Sequence, residues 1–547
     1  MIDPRIVAAS SGYNRRLRLA KGPEVPKATA RVRDIWLAAL SSFAFSLAFL
    51  AVRNIYDDEL RSFEVILNPF PQLLHLARTT DVHPPGMYLL SRIAFLLTGS
   101  ERWMTVLPLL VLYAGLVVFA YRVRPLLAQR PAAWITAVVL IFWHPQLLLW
   151  GNSVRWYPYW TGLALVLLAG TLLAPVRSAS VARLALLGLA LAAMLYLSYA
   201  TLTFALAFVC AWAFRWGVTR TSLRDLAILA GTAAVVAAPQ LPALLLVHIP
   251  NSGTQRSSLV VSAARLFHGM VISEAMFPWQ PVGLLLAFGV ALPLGLRGAW
   301  TVLRDRDSRA LGSLAIWCAV LAILAVASGL GGKARTFIVL CPAWGVLVGA
   351  GLGELRRSWG RWVAWGVTAA WLLVGCAHEL GRERTAKSGL NDRVDEVVSL
   401  VTSQAGSEPA LIVSYDPATV YALNEARVRS GRPWTVCSAY PDAIHGIPAA
   451  QVGAQPKKVF VVRSFVGSLL PNARWLDRVL SSAEAGIVAP SKAMLSKDPD
   501  WGMKRRVPGM GDAAAALPEY RFVVTYGDAR AGYDFRPLEE LARPATD

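Results

Sequence analysis

Uncharged apolar runs recur through the first 380 residues of the chain. Ten of them are 17 to 31 residues long. A helix needs about 20 residues to cross a hydrocarbon core of about 30 Å. The pattern therefore predicts a mostly α, polytopic membrane protein. The runs cover residues 35–52, 103–121, 131–154, 156–176, 184–214, 226–255, 275–296, 310–332, 336–353 and 362–378.

The number of crossings depends on the run 184–214. It is too long for one span, and Ser198 and Tyr199 near its middle indicate a turn. Dividing it gives about eleven spans with the N-terminus inside, and the cytoplasmic segments then hold 23 of the 35 Lys and Arg residues before position 385. This agrees with the positive-inside rule, whereas a single span would put three late Arg-rich loops outside. We expect a cytoplasmic segment 1–34 and a transmembrane domain 35–380.

Two segments are expected to lie outside the cytoplasm. One is a long first loop, residues 53–102, whose apolar stretch 86–99 is interrupted by Arg92 and fits an interfacial helix better than a span. The other is the tail, residues 385–547, which is near neutral, with 19 basic and 18 acidic residues. Strand patterns alternate there with helical ones, which predicts an extracytoplasmic α/β domain. The predicted strands are 410–415, 459–464 and 521–526, and the predicted helices are 391–403 and 472–482.

Composition narrows the class further. With 55% apolar and 16% charged residues, the chain is neither disordered nor an ordinary soluble enzyme. The net charge of +20 lies almost wholly in the membrane part, where it reflects topology rather than nucleic-acid binding. Five cysteines, only Cys437 of them in the tail, exclude a disulfide framework.

Carboxylates cluster directly after the first span, in Tyr56-Asp57-Asp58-Glu59. Such a group can bind a divalent cation, Mg²⁺ or Mn²⁺, through Asp57 and Asp58, or accept a proton from a hydroxyl group. The alternative is a solvated helix start, because acidic residues favour the first turn. Spacing alone does not choose between the two.

Three further sets of polar residues lie in external loops. Asp81 and His83 precede Pro84-Pro85, which hold the backbone extended and then open a helix; alternatively they are a helix cap and a surface residue. Arg155 and Tyr157 lie among aromatic residues that are most simply an interfacial belt beside a snorkelling arginine. Lys333 and Arg335 suit a lipid-linked phosphate, or ordinary anchoring of helix ends.

Together these motifs resemble the GT-C membrane glycosyltransferases, a superfamily that includes protein mannosyltransferases and the lipid A aminoarabinose transferase. The similarity spans roughly residues 35–350. It rests on four motifs in order: Tyr56-Asp57-Asp58-Glu59, Asp81-Val82-His83-Pro84-Pro85-Gly86-Met87-Tyr88, Arg155-Trp156-Tyr157, and Arg335-Thr336-Phe337 before Pro342. Ser153 departs from the pattern, since related sequences often carry an acidic residue two positions before this arginine.

The resemblance implies an inverting transfer of a sugar from a polyprenyl phosphate to a hydroxyl acceptor, a glycan, lipid or protein, outside the cytoplasm. It implies Asp58 as the base, with Asp57 next. Glu59, Asp81, His83 and Tyr157 would bind or orient the substrates, and Arg155, Lys333 and Arg335 would neutralise the lipid phosphate. The Ala- and Arg-rich composition suggests a bacterial inner membrane.

Two other functions remain open at this stage. A lipid-linked sugar transporter or flippase would place ionisable groups near the bilayer midplane, whereas most charges here lie at helix ends. A non-catalytic subunit of envelope polysaccharide assembly would use the tail to bind polymer. The sugar, the acceptor and the polyprenyl length cannot be read from the sequence.

Overall fold

The computed structural model describes a helical part followed by a small sheet. The described residues are 28–52, 57–66, 70–79, 84–100, 103–127, 130–175, 180–240, 259–271, 285–305, 308–328, 334–355, 357–385, 393–414, 417–438, 455–464, 473–489, 522–533 and 535. The helices before the sheet are α1 (Ala28–Val52), α2 (Asp57–Ile66), α3 (Phe70–Thr79), α4 (Gly86–Thr98), α5 (Val106–Leu127), α6 (Pro131–Phe142), α7 (Pro145–Gly151), α8 (Trp156–Gly170), α9 (Val181–Leu197), α10 (Thr201–Trp216), α11 (Arg220–Ala237), α12 (Leu259–Val271), α13 (Leu292–Arg304), α14 (Arg309–Ala327), α15 (Leu340–Gly353) and α16 (Arg357–Thr385).

Within the described residues, six helical segments are long and apolar enough to cross a membrane. They are Val32–Leu50, Trp103–Leu127, Pro131–Gly151, Arg220–Gln240, Leu285–Arg304 and Arg309–Ala327. Shorter apolar helices, α9, α10 and α15 among them, accompany these segments. The chain is thus a polytopic membrane protein, and its exact number of spans stays a prediction.

The long run 184–214 is divided where its sequence indicated a turn. Helix α9 ends at Leu197 and α10 begins at Thr201. Ser198 stabilises the break, because its hydroxyl accepts a hydrogen bond from the Ala200 N–H at 3.2 Å and its carbonyl accepts one from the Thr201 hydroxyl at 2.7 Å. The predicted interruption is therefore confirmed.

A second break, which the sequence pattern did not predict, separates α6 from α7. His144 precedes Pro145, and the proline ring disfavours helical backbone at the residue before it. The imidazole Nδ1 of His144 accepts the Gln146 N–H at 3.1 Å, so it caps the new helix. Its Nε2 then carries the proton and donates to the Met270 carbonyl at 2.6 Å. His144 thereby joins the start of α7 to the last turn of α12.

Helix pairs of the membrane part pack closely where small residues meet. Three closely packed helix pairs are α5 with α8, α6 with α15, and α13 with α15. At the α13–α15 crossing, Gly298 and Gly351 lie so close to the opposite backbone that a Cβ on either would overlap it. Small residues of this kind allow helices to approach within the membrane, where apolar burial alone gives no preference for protein over lipid.

The C-terminal part is a five-stranded mixed sheet with helices on its faces. Its elements are α17 (Val394–Ala405), β1 (Ala410–Ser414), α18 (Pro417–Ser430), β2 (Trp434–Ser438), β3 (Lys458–Ser464), α19 (Ala473–Val479), β4 (Glu484–Val488) and β5 (Phe522–Asp528). The strand order is β2-β1-β3-β5-β4, with β1, β2 and β3 parallel and β5 antiparallel to its two neighbours. The predicted α/β class, three strands and two helices are confirmed, whereas α18, β2 and β4 were missed.

The two faces of this sheet have different neighbours. Ile412, Val436 and Phe460 belong to the same apolar cluster as the core of the helical part, on the side covered by α17 and α18. Leu411 and Val413 alternate with them and form a separate cluster on the other side. Strand residues alternate between faces. The face that carries α18 is therefore the one continuous with the rest of the protein.

Candidate functional site

The acidic motif of the first loop forms the first turn of α2. Asp57 and Asp58 are the first two residues of the helix, and their side chains lie outside what the structure describes. Glu59 is fully buried. The interpretation of the whole motif as a solvated helix start is therefore wrong for Glu59, because a buried carboxylate needs compensating hydrogen bonds or charges.

Glu59 is bonded to the second loop, the segment 152–155 between α7 and α8. Its carboxylate accepts the backbone N–H of Val154 at 2.8 Å. One turn further along α2, Ser62 accepts a hydrogen bond from Nη1 of Arg155 at 3.0 Å. Two residues of α2 thus contact two consecutive residues of the second loop, so the predicted base and one predicted phosphate-binding cation lie on elements that are directly bonded to each other.

Arg335 joins the same group through an aromatic side chain. It lies in the 3₁₀ segment Ala334–Phe337, and its guanidinium carbon is 5.0 Å from the ring centroid of Trp150. The Trp150 ring in turn makes an edge contact with Tyr157, at 5.7 Å between centroids. A guanidinium over an indole face is attracted by the ring quadrupole. Tyr157 and Arg335, which are distant in sequence, are therefore linked through the Trp150 ring.

The aromatic residues around Arg155 are interior rather than interfacial. Trp150, Trp156, Tyr159 and Trp160 are each at most 6% exposed, and Arg155 itself is 8% exposed. The belt interpretation, with a snorkelling Arg155, is wrong. The physical reason is packing: α8, which begins at Trp156, lies against α5 and α9, so its aromatic first turns are enclosed by other helices.

The proline motif opens α4 as predicted. Asp81 and His83 lie outside the described residues, but Pro85 is the N-cap and the helix starts at Gly86. Gly86 lies directly against the backbone carbonyl of Tyr196, near the end of α9. Along α4, Ile93, Leu96 and Leu97 are exposed, whereas Met87 and Tyr88 are fully buried. An apolar exposed face fits the interfacial placement that the sequence predicted.

The described residues do not form a metal site. Among them there is no group of three His, Cys, Asp or Glu side chains that could hold an ion. Ser153, which stands at the position of the missing acidic residue, is fully buried and donates its hydroxyl to the Trp150 carbonyl at 2.6 Å. Asp57 and Asp58, whose side chains the structure does not describe, stay the predicted metal ligands.

Two features of the site could not be predicted from the motifs. Ser62 carries no sequence signal, because an isolated serine has many roles. The second feature is helix α18 of the C-terminal part, which packs directly against α2. Thr419, Val420 and Leu423 of α18 are buried. The α/β part is therefore in contact with the helix that carries the candidate base. Lys333 lies outside the described residues.

Comparisons with known proteins agree with this architecture. No protein-family model matches the chain, and no curated protein does. Among solved structures, the chain is similar to GT-C glycosyltransferases along nearly its whole length, and we conclude that it has the GT-C fold. In particular, it has the form of that fold found in ArnT, the aminoarabinose transferase from Cupriavidus metallidurans.

The apo ArnT structure superposes with a TM-score of 0.56 at 15% sequence identity, covering 93% of this chain and 99% of ArnT. The ArnT structure bound to undecaprenyl phosphate gives 0.52 at 16% identity, with 91% and 98% covered. The chain is less similar to the oligosaccharyltransferase AglB from Archaeoglobus fulgidus in complex with an inhibitory peptide and a dolichol-phosphate. Its TM-score is 0.46 at 12% identity, with 81% of this chain and 70% of AglB covered. These identities establish the fold alone.

Proposed function

We propose that the protein is an inverting glycosyltransferase that moves a sugar from a polyprenyl phosphate to a hydroxyl acceptor. The observation that carries the proposal is the junction of the two external loops, where Glu59 and Ser62 of α2 bond to Val154 and Arg155. It brings an acidic helix start and a buried guanidinium together. That ArnT was crystallised with undecaprenyl phosphate supports a lipid phosphate as the carrier.

The proposed reaction follows from these groups. The acceptor hydroxyl attacks the anomeric carbon, the bond from that carbon to the phosphate oxygen breaks, and the polyprenyl phosphate leaves. Asp58, or Asp57 beside it, takes the hydroxyl proton, while Asp81 and His83 orient the acceptor or the phosphate. The leaving group is good, so the protein mainly supplies position and electrostatic stabilisation.

The cations and the buried acid have different tasks in this proposal. Arg155, Lys333 and Arg335 neutralise the negative charge that develops on the phosphate, most effectively where water is excluded. Tyr157 is linked to Arg335 through the Trp150 ring. Glu59 has no exposed surface from which to contact a substrate. We therefore assign it to holding the second loop rather than to substrate binding. A divalent cation, Mg²⁺ or Mn²⁺, at Asp57 and Asp58 would further neutralise the phosphate, and no step of this mechanism requires it.

The proposal includes an orientation in the membrane. Residues 1–34 are cytoplasmic, 35–380 form the transmembrane domain with the external loop 53–102, and 385–547 form an extracytoplasmic domain. The positive-inside distribution supports this arrangement. The host membrane would be a bacterial inner membrane, and the acceptor a cell-envelope glycan, glycolipid or protein.

The test is sugar transfer by an Asp58→Ala variant in membranes supplied with a labelled polyprenyl-phosphate sugar. We expect transfer to fall by a factor of at least about 100, because general base catalysis contributes about 10²–10⁴-fold. The matched control is Glu408→Ala, which removes a carboxylate whose exposed ion pair with Lys457 is long, at 3.7 Å, and should leave transfer unchanged. Undiminished transfer by folded Asp58→Ala would exclude Asp58 as the base.

A further inference from the structure

Helix α2 depends on its neighbours for its position. It has 10 residues. Helices of this length are marginal in isolation, so packing and hydrogen bonds from other elements must fix its direction. Its orientation matters because Asp57 and Asp58 form its first turn. Any contact that fixes α2 therefore also fixes the candidate base.

The two ends of α2 are held by different elements. Near its start, Glu59 accepts the Val154 N–H. At its end, Nη1 of Arg92 on α4 donates to the carbonyl oxygen of Ile66 at 3.1 Å. Ile66 is the last residue of α2, so its carbonyl has no partner within the helix. A cation at this end is also favoured by the helix dipole.

Arg92 has no carboxylate partner in the described part of the chain. There, its side chain contacts the Ile66 carbonyl and the ring of Phe95, whose centroid lies 5.6 Å from the guanidinium carbon. Arg92 is a charged residue on a helix whose neighbouring residues Ile93 and Leu96 are exposed and apolar. The hydrogen bond to the end of α2 thus satisfies the Arg92 guanidinium in this apolar environment.

We propose that Arg92 is a positioning residue of the active site, which acts through α2 on the base Asp58, about 12 Å along the helix axis from Ile66. The expected effect of Arg92 on kcat rests on the proposed function, whereas its contact with the end of α2 does not. Arg92 does not touch the reacting atoms. Without it, the C-terminal end of α2 loses a charge-assisted hydrogen bond, the helix direction relaxes, and the carboxylates of its first turn move relative to Arg155.

The test combines kinetics with amide hydrogen exchange on the full-length protein in detergent. We expect Arg92→Ala to lower kcat by about 10- to 100-fold, since displacement by about 1 Å can cost that much, with the KM for the donor unchanged. Amides of α2 should exchange about tenfold faster, while those of α8 should not change. Arg92→Lys, which keeps a cationic donor, should restore part of both.

Phe95→Leu is the matched control, because it removes the ring contact and leaves the hydrogen bond to Ile66. It should retain the wild-type kcat. Unchanged α2 exchange in Arg92→Ala, or an equal loss of kcat in Phe95→Leu, would overturn the proposal. If the wild-type protein transfers no sugar, the proposed function fails, while the exchange measurement still decides whether Arg92 holds α2.

Discussion

Gly86 is the position at which the proline motif meets the membrane helices, and a single methyl group there should disturb the site. A Cβ at position 86 would lie 2.9 Å from the carbonyl carbon of Tyr196, and closer still to its oxygen. Non-bonded carbon atoms settle at about 3.5–4.0 Å. Both neighbours are backbone atoms, so no side chain can rotate away. In Gly86→Ala, α4 must therefore move away from α9 by about 1 Å.

Two measurements follow from this displacement. Overpacking of this kind costs about 1–3 kcal/mol, so the thermal midpoint of Gly86→Ala should fall. Sugar transfer should fall by more than the loss of folded protein explains, because Asp81 and His83 precede this turn and a shift of about 1 Å can cost about 100-fold.

The matched control is Gly231→Ala in α11, where an added Cβ would meet nothing within 4 Å. That change should leave transfer unchanged and, by helix propensity, stabilise the protein by up to about 1 kcal/mol. Equal midpoints and equal transfer rates for Gly86→Ala and the wild type would refute the argument from close packing.

Two other predictions concern the buried acid and the buried thiol. Glu59→Ala leaves the Val154 N–H without its acceptor and should lower the free energy of unfolding by about 1–3 kcal/mol. Glu59→Gln keeps an acceptor, so its loss of stability should be smaller. Equal losses for the two variants in chemical denaturation would contradict the role of this bond. Burial raises the pKa of the Cys437 thiol to about 12. At pH 8, maleimide should therefore label Cys437 only when the sheet unfolds. Rapid labelling of Cys437 in the native protein would contradict the packing of β2.

The sequence was most informative where one residue type has one dominant physical consequence. Uncharged runs identified the membrane helices, and Ser198 and Tyr199 located the break between α9 and α10. Pro84-Pro85 located the start of α4. Proline restrictions and membrane thickness act locally, so a pattern in one segment suffices to predict them.

Burial around the site depended instead on tertiary packing. Trp150 and Trp156 are residues of the type found in interfacial belts, yet both are enclosed by neighbouring helices. Likewise, strand β2 lies at the sheet edge with Trp434 and Cys437 buried against partners far away in sequence. An aromatic side chain carries the same local signal in either environment, so the sequence could not separate them.

The site itself could be predicted as a set of residues but not as a set of contacts. The motifs named Glu59, Arg155 and Arg335. That Glu59 bonds to the backbone of Val154, and that Trp150 links Arg335 to Tyr157, depends on how α2 and the 3₁₀ segment approach the second loop. The contact of α18 with α2 is also long-range and has no sequence signature.

The proposed mechanism requires the acids of the first loop to meet Lys333 and Arg335 on one side of the membrane, outside the cytoplasm. Single thiols test it most directly: Asp58→Cys, Lys333→Cys and, as the cytoplasmic control, Asp305→Cys, each in a chain without its native cysteines. A membrane-impermeant maleimide applied to intact cells should label positions 58 and 333 but not 305. Labelling that places positions 58 and 333 in opposite compartments would contradict the account.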